Sequence, residues 1–136
     1  MKLRIVYKRT KGSALNWLLV GIGGAVGACF RYGIYLSLNA EGRFPSATLI
    51  ANCVGCFLIG LLFGCGWFQA EPWRLLVGVG FLGALTTFST FGFETIALVE
   101  AAKWKWLVWY MAGNLIGGIA LVAIGQQIGK GLITNV

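Results

Sequence analysis

The chain has 136 residues, of which 58% are hydrophobic and 11% charged, against roughly 25% charged in an ordinary soluble domain. It contains no His, and its four carboxylates, Glu41, Glu71, Glu94 and Glu100, are scattered, so conventional hydrolysis and metal chemistry lack their usual side chains and an enzyme is the least favoured class. The net charge of +7 would suit a nucleic acid, but five of the eleven basic residues (Lys2, Arg4, Lys8, Arg9, Lys11) precede the first apolar stretch; they read as a solvated tail over 1–14 beside anionic lipid headgroups, with no nucleic-acid partner.

Four stretches carry no Asp, Glu, Lys or Arg: 12–30, 44–70, 75–93 and 106–129, together 89 of the 136 residues. A helix needs about 20 apolar residues to cross the hydrocarbon layer, so an all-α membrane protein is predicted, with a single four-helix domain over 15–136. The first span is placed at 15–38, with Arg31 near one end. Its basic start and the run Val26-Gly27-Ala28-Cys29 could pass for a secretory leader, but the apolar run exceeds the usual core of roughly 7–15 residues and three more spans follow. Residues 39–44 form the first loop, and Pro45 suits the first turn of a second helix over 45–68. A turn over 69–72 leads through Trp73 and Arg74 into a third span over 73–101. Lys103, Trp104, Lys105, Trp106 and Trp109 mark a headgroup level, and the fourth span covers 106–128.

If the spans alternate and Arg31 is left inside its helix, one side holds seven positive charges (the five of the tail, Arg74 and Lys130) and the other three (Arg43, Lys103 and Lys105). That bias puts the N-terminus in the cytoplasm. Without the tail, two charges face three, a balance that lets a chain insert either way round.

Among 21 glycines, the pairs Gly23/Gly27, Gly60/Gly64, Gly113/Gly117 and Gly125/Gly129 are spaced to let helix backbones approach closely. Four thin helices enclose little, so a dimer or larger assembly surrounded by membrane lipid is expected. Gly78-Val79-Gly80-Phe81-Leu82-Gly83 matches the dinucleotide fingerprint by letter, yet within a membrane span it reads as helix packing, because the fingerprint acts only between a strand and a helix. Cys53 and Cys56, with Cys29 and Cys65 elsewhere, have no second close pair or His to complete a tetrahedral site and read as small apolar residues.

The segment Thr86-Thr87-Phe88-Ser89-Thr90-Phe91 is different. β-Branched residues and hydroxyls that bond the backbone weaken a helix, so a local break is predicted in the third span, with an ordinary back-bonded helix as the alternative. Broken backbone at membrane depth must be buried in protein or line a wet cavity. Asn52, and Tyr110 with Asn114 four residues on along the same helix face, are either helix-to-helix glue or part of a polar path. Arg31 and Glu94 are ionisable groups in or near the membrane, for which function is the first hypothesis and a snorkelling charge the alternative.

The ordered set Gly23-Gly24-x-x-Gly27-Ala28-x-x-Arg31-Tyr32, Ala51-Asn52-x-x-Gly55-x-Phe57-Leu58-x-Gly60 and Gly80-Phe81-x-Gly83-x-x-Thr86-Thr87-Phe88-Ser89-Thr90-Phe91 with Glu94 resembles the Fluc (CrcB) fluoride channels in order and spacing. The resemblance runs from about Trp17 to Ile128. It implies a dual-topology antiparallel homodimer in the bacterial plasma (inner) membrane, with two pores giving passive fluoride export and protection from fluoride toxicity. By that likeness the third helices break and cross at the centre, where the backbone carbonyls of Gly83 and Thr86 from both subunits hold one structural sodium ion. Phe88 and Phe91 would line the pores, Asn52, Ser89, Thr90, Tyr110 and Asn114 the polar track, and Arg31 and Glu94 the vestibules. Asn114 departs from the pattern, standing where Ser or Thr is expected.

Fluoride is small and strongly hydrated, so a pore must replace its water with donors without holding it too firmly to leave. Asn N–H groups and Ser, Thr or Tyr hydroxyls are such donors, and the positive edge of a phenyl ring can face an anion while excluding water. Two rivals are carried. A small multidrug-type exchanger is also a short four-span dimer, but it needs an embedded carboxylate, which the first span lacks, leaving Glu94 as its only candidate. A noncatalytic membrane assembly subunit would use the glycines as a contact surface and pass no ion.

Overall fold

The computed structural model describes residues 12–38 and 44–134. Most of the basic tail, and the first loop with Glu41, Gly42 and Arg43, lie outside the described residues. Among those described there is no strand, and four helices are long and apolar enough to cross a membrane: Ala14–Leu38, Ser46–Gly64, Glu71–Glu100 and Trp104–Ile133, the first to fourth spans below.

The second span ends four residues before the expected Phe68. Gly66 adopts a left-handed conformation with φ 71°, which glycine takes without steric cost; it turns the chain into a short 3₁₀ stretch, Trp67–Gln69. Pro45 precedes the second helix instead of opening its first turn, with φ −73° and ψ 68°. The third span begins at Glu71, where Pro72 occupies the first turn, a position in which its missing N–H leaves no bond unmade.

Two lengths of wide π-helix, Arg74–Leu82 in the third span and Gly113–Gly117 in the fourth, were not legible in the apolar pattern. Both contain glycine, and such segments inside α-helices occur frequently at functional sites.

Packing is pairwise. The second span lies along the helix Gly118–Thr134 of the fourth, and the first lies along Arg74–Leu82 of the third. Glycine permits both contacts: a Cβ at Gly60 or Gly64 would overlap the carbonyl oxygens of Val122 or Gln126, and one at Gly125 or Gly129 those of Phe57 or Leu61. Between the first and third spans, Gly23 and Gly27 meet the carbonyls of Leu76 and Phe81, while a Cβ on Gly80 would stand 2.7 Å from the Val20 oxygen. Three of the four expected glycine pairs thus seat backbone on backbone. The fourth does not, because Gly113 faces the Leu49 side chain and Gly117 meets only its own helix. Gly80 of the fingerprint-like run packs on the first span and Gly78 on the Phe68 ring, so that run serves packing.

The first and third spans are also joined where they begin, by Asn16 Nδ2 donating to Glu71 Oε1 at 3.1 Å. Overpacking a close contact costs about 1–3 kcal/mol. The variant Gly60→Ala should therefore lower the melting temperature of the purified protein in detergent, whereas Gly21→Ala, with nothing within 4 Å of the new methyl, should leave it unchanged or raise it.

Candidate functional site

The third span breaks at Thr86 and Thr87, whose backbones are extended, with φ −84°, ψ 152° and φ −150°, ψ 118°. Local chemistry accounts for the break. The Thr86 hydroxyl donates to the Leu82 carbonyl at 2.9 Å, and the Thr86 N–H shares that acceptor at 3.1 Å, the back-bonding that weakens a helix. The Thr87 N–H then turns away from the helix to Asn52 Oδ1, 2.8 Å distant, and the Gly83 carbonyl loses its usual donor four residues on. Thr87 restarts the helix as the N-cap of Phe88–Glu100, its Oγ1 accepting the Thr90 N–H at 3.2 Å. Its hydroxyl also donates to Thr90 Oγ1 at 3.0 Å and lies 3.2 Å from Ser89 Oγ.

Asn52 reaches this break because Gly55, one turn on, leaves room for the Thr86 methyl, which a Cβ there would overlap. Its amide closes a ring with Thr87, taking that residue's N–H on Oδ1 and donating Nδ2 to its carbonyl at 3.2 Å. Nδ2 also donates to Asn114 Oδ1 at 2.8 Å. Asn114 stands in the π-helical turn of the fourth span and donates its own Nδ2 to the Tyr110 carbonyl at 2.9 Å. One amide of the second span thus ties the third span to the fourth.

Tyr110 is fully buried. Its hydroxyl donates to the Glu94 carboxylate. Rings cluster beside it: Phe88 tilted against Phe91 at 5.5 Å between centroids, Phe91 tilted against Tyr110 at 5.4 Å, and Tyr110 edge-on to Phe44 at 5.8 Å and 85°. Phe91 is buried, whereas Phe88 is 78% exposed and Phe93 76%.

Arg31 does not meet Glu94. Its Nε donates to the Ala84 carbonyl at 3.0 Å, placing a cation at the end of the broken half-helix Gly83–Leu85, where the helix dipole favours positive charge. Two cavities flank the break. One of about 340 Å³ is lined by Asn52, Gly83, Thr86, Thr87, Phe88, Phe91 and Asn114 among others. The other, of about 170 Å³, includes Arg31, Tyr32, Tyr35, Thr48, Thr87 and Thr90. Thr87 lines both.

The structure therefore gathers Asn52, Thr86, Thr90, Asn114, Phe88, Phe91, Tyr110 and Glu94 around one break. Ser89 is exposed, touching the cluster through the Thr87 hydroxyl, and Gly83 is exposed. Sequence reasoning missed two participants. The capping role of Thr87 was available as an N-cap signal, a Thr three residues before Thr90; Thr48 carries no local pattern and is found only because it is buried against the smaller cavity. The four cysteines are free, Cys53 resting its Sγ 3.8 Å from the Gly113 carbonyl, and no metal-holding group of His, Cys, Asp or Glu occurs among the described residues.

Residues 18–126 match the family model described as CrcB-like protein, Camphor Resistance (CrcB). The chain is 41% identical over 127 residues to the "Fluoride-specific ion channel FluC 2" of Listeria monocytogenes serotype 4b, covering 89% of this chain and 95% of that one. It is likewise 41% identical over 122 residues to the "Fluoride-specific ion channel FluC" of Chloroflexus aurantiacus (85% and 95% covered) and 43% identical over 117 residues to that of Shewanella sediminis (83% and 94% covered). The broken third span and its Asn52 clasp are thus those of a chain that belongs to the CrcB-like family.

Proposed function

We propose that this protein is a fluoride-selective channel: a multi-pass bacterial membrane protein, not an enzyme, that lets fluoride leave the cell passively and so protects it from fluoride toxicity. One observation carries this reading beyond family membership. Amide and hydroxyl donors (Asn52, Thr87, Thr90) and a pair of phenyl rings (Phe88, Phe91) converge on a break in the third span, beside a cavity and across from a buried Tyr110. That combination can offer a dehydrated anion hydroxyl groups, ring edges and, by exchange of its present partner, an amide N–H.

In this reading Phe88 and Phe91 form the pore wall, and Asn52, Ser89, Thr90, Tyr110 and Asn114 line the polar track. Arg31 belongs to a vestibule, attracting anions while it caps the broken half-helix, and Glu94 lies at the far end, held by Tyr110. The working unit is an antiparallel homodimer with two pores. Its support is the bare surface of this chain: Phe88, Phe93 and Ile96 on the helix after the break are exposed, and Gly83 opens outward beside them.

A sodium ion at the dimer centre fits the donors present. The Gly83 carbonyl has lost its helical donor, since the Thr87 N–H bonds Asn52 instead, and the extended Thr86 points its own carbonyl off the helix axis. Carbonyls of unwound membrane helices are the ligands that alkali cations take. Gly83 and Thr86 would hold the ion, and its positive charge would offset the carbonyl dipoles at the break.

The single-ring variants Phe88→Ile and Phe91→Ile should abolish fluoride efflux from liposomes while the protein elutes as the same assembly, because an aliphatic chain stays apolar but has no positive edge. Unchanged efflux would remove the rings from the path. Asn52→Asp should block fluoride by placing a carboxylate on its route. At about 4 Å and an effective dielectric of about 20, the repulsion is about 4 kcal/mol, roughly a thousandfold in rate. An active, well-assembled Asn52→Asp protein would exclude that side chain from the pore.

A further inference from the structure

The orientations of the Asn52 and Asn114 amides are set by backbone groups that cannot exchange roles. The Thr87 N–H only donates, so the Asn52 atom 2.8 Å from it is Oδ1. The carbonyls of Thr87 and Tyr110 only accept, so they take Asn52 Nδ2 and Asn114 Nδ2 at 3.2 and 2.9 Å. That leaves Asn114 Oδ1 aimed at the remaining hydrogen of Asn52 Nδ2, 2.8 Å away. An amide nitrogen carries two hydrogens; with both bonds made, Asn52 has no N–H left for an anion. Asn52, Thr87 and Asn114 all line the larger cavity, the route an ion takes on the channel reading, and the inference rests on that reading.

We propose that Asn114 Oδ1 is a built-in competitor for the Asn52 N–H. Fluoride gains this donor only by displacing the Asn114 carbonyl oxygen, and the return of that oxygen helps the ion leave. The step exchanges one hydrogen-bond acceptor for another, with no covalent change. A bond to an ion is roughly twice as strong as one to a neutral oxygen, so fluoride wins the donor, but by a margin that the lost bond reduces. A conducting pore needs that reduction, because an ion bound too firmly does not move on. Asn114 is thus a positioning residue acting through Asn52, and the Tyr110 carbonyl, gripping its other end, keeps Oδ1 in place to retake the donor.

The test is the initial rate of fluoride efflux from liposomes loaded with increasing fluoride, for the full chain and for Asn114→Thr and Asn114→Leu. Threonine keeps a bond to the Tyr110 carbonyl by helical back-bonding but withdraws the acceptor from Asn52; leucine keeps the volume and removes both bonds. The fluoride concentration at half-maximal rate should fall roughly threefold to tenfold, the worth of one hydrogen bond, and the maximal rate should fall with it as release slows. A half-maximal concentration that is unchanged or raised in Asn114→Thr overturns the proposal, since a purely structural role lowers the maximal rate alone. If Asn114→Leu aggregates, the threonine variant decides. No fluoride release from the unaltered chain would overturn the channel reading, and this inference with it.

Discussion

An unwound stretch of backbone in hydrocarbon exposes N–H and C=O groups that cost about 2–7 kcal/mol each if left unpaired, and the clasp between Asn52 and Thr87 is what makes such a stretch tolerable here. The Asn52 amide mimics a backbone neighbour: it takes the Thr87 N–H and returns an N–H to the Thr87 carbonyl. Arg31 answers the Ala84 carbonyl, and the Thr87 hydroxyl answers one of the free N–H groups in the first turn of the next helix, that of Thr90. With those partners supplied, the third span can end one helix and begin another at membrane depth.

The remaining architecture brings these partners within reach. The second span carries Asn52, and its glycines let it lie against the fourth span at backbone contact, which sets Asn114 2.8 Å from Asn52. The first span carries Arg31, and Gly23 and Gly27 seat it against the third. The glycine pairs and the polar residues are therefore one device. Close packing positions the few polar side chains, and those side chains stabilise the break that close packing alone would not.

Span number, the all-α class and the break were legible because each follows from a local property: charge-free length, glycine spacing, and hydroxyls clustered with β-branched residues. Asn52, Tyr110 and Asn114 could be singled out as amide and phenol groups in hydrocarbon, but the sequence left open whether they were glue or path. The structure makes Asn52 and Asn114 glue between spans, and both also line the larger cavity. What escaped the sequence was long-range or cooperative. Nothing local to Thr48 announces that it is buried against the smaller cavity, and Arg31 and Glu94 find their partners on other spans, at the Ala84 carbonyl and the Tyr110 hydroxyl. The early end of the second span turned on Gly66, whose left-handed turn is masked by the apolar residues on both sides.

The central claim is that the cluster at the break passes fluoride and discriminates against other anions. It is tested most directly by reconstituting the purified full chain in liposomes and following fluoride release with an ion-selective electrode, beside identical liposomes loaded with chloride. Rapid release of fluoride with chloride retained is the expected result. Retention of both ions by a well-assembled protein, or equal release of the two, would contradict it.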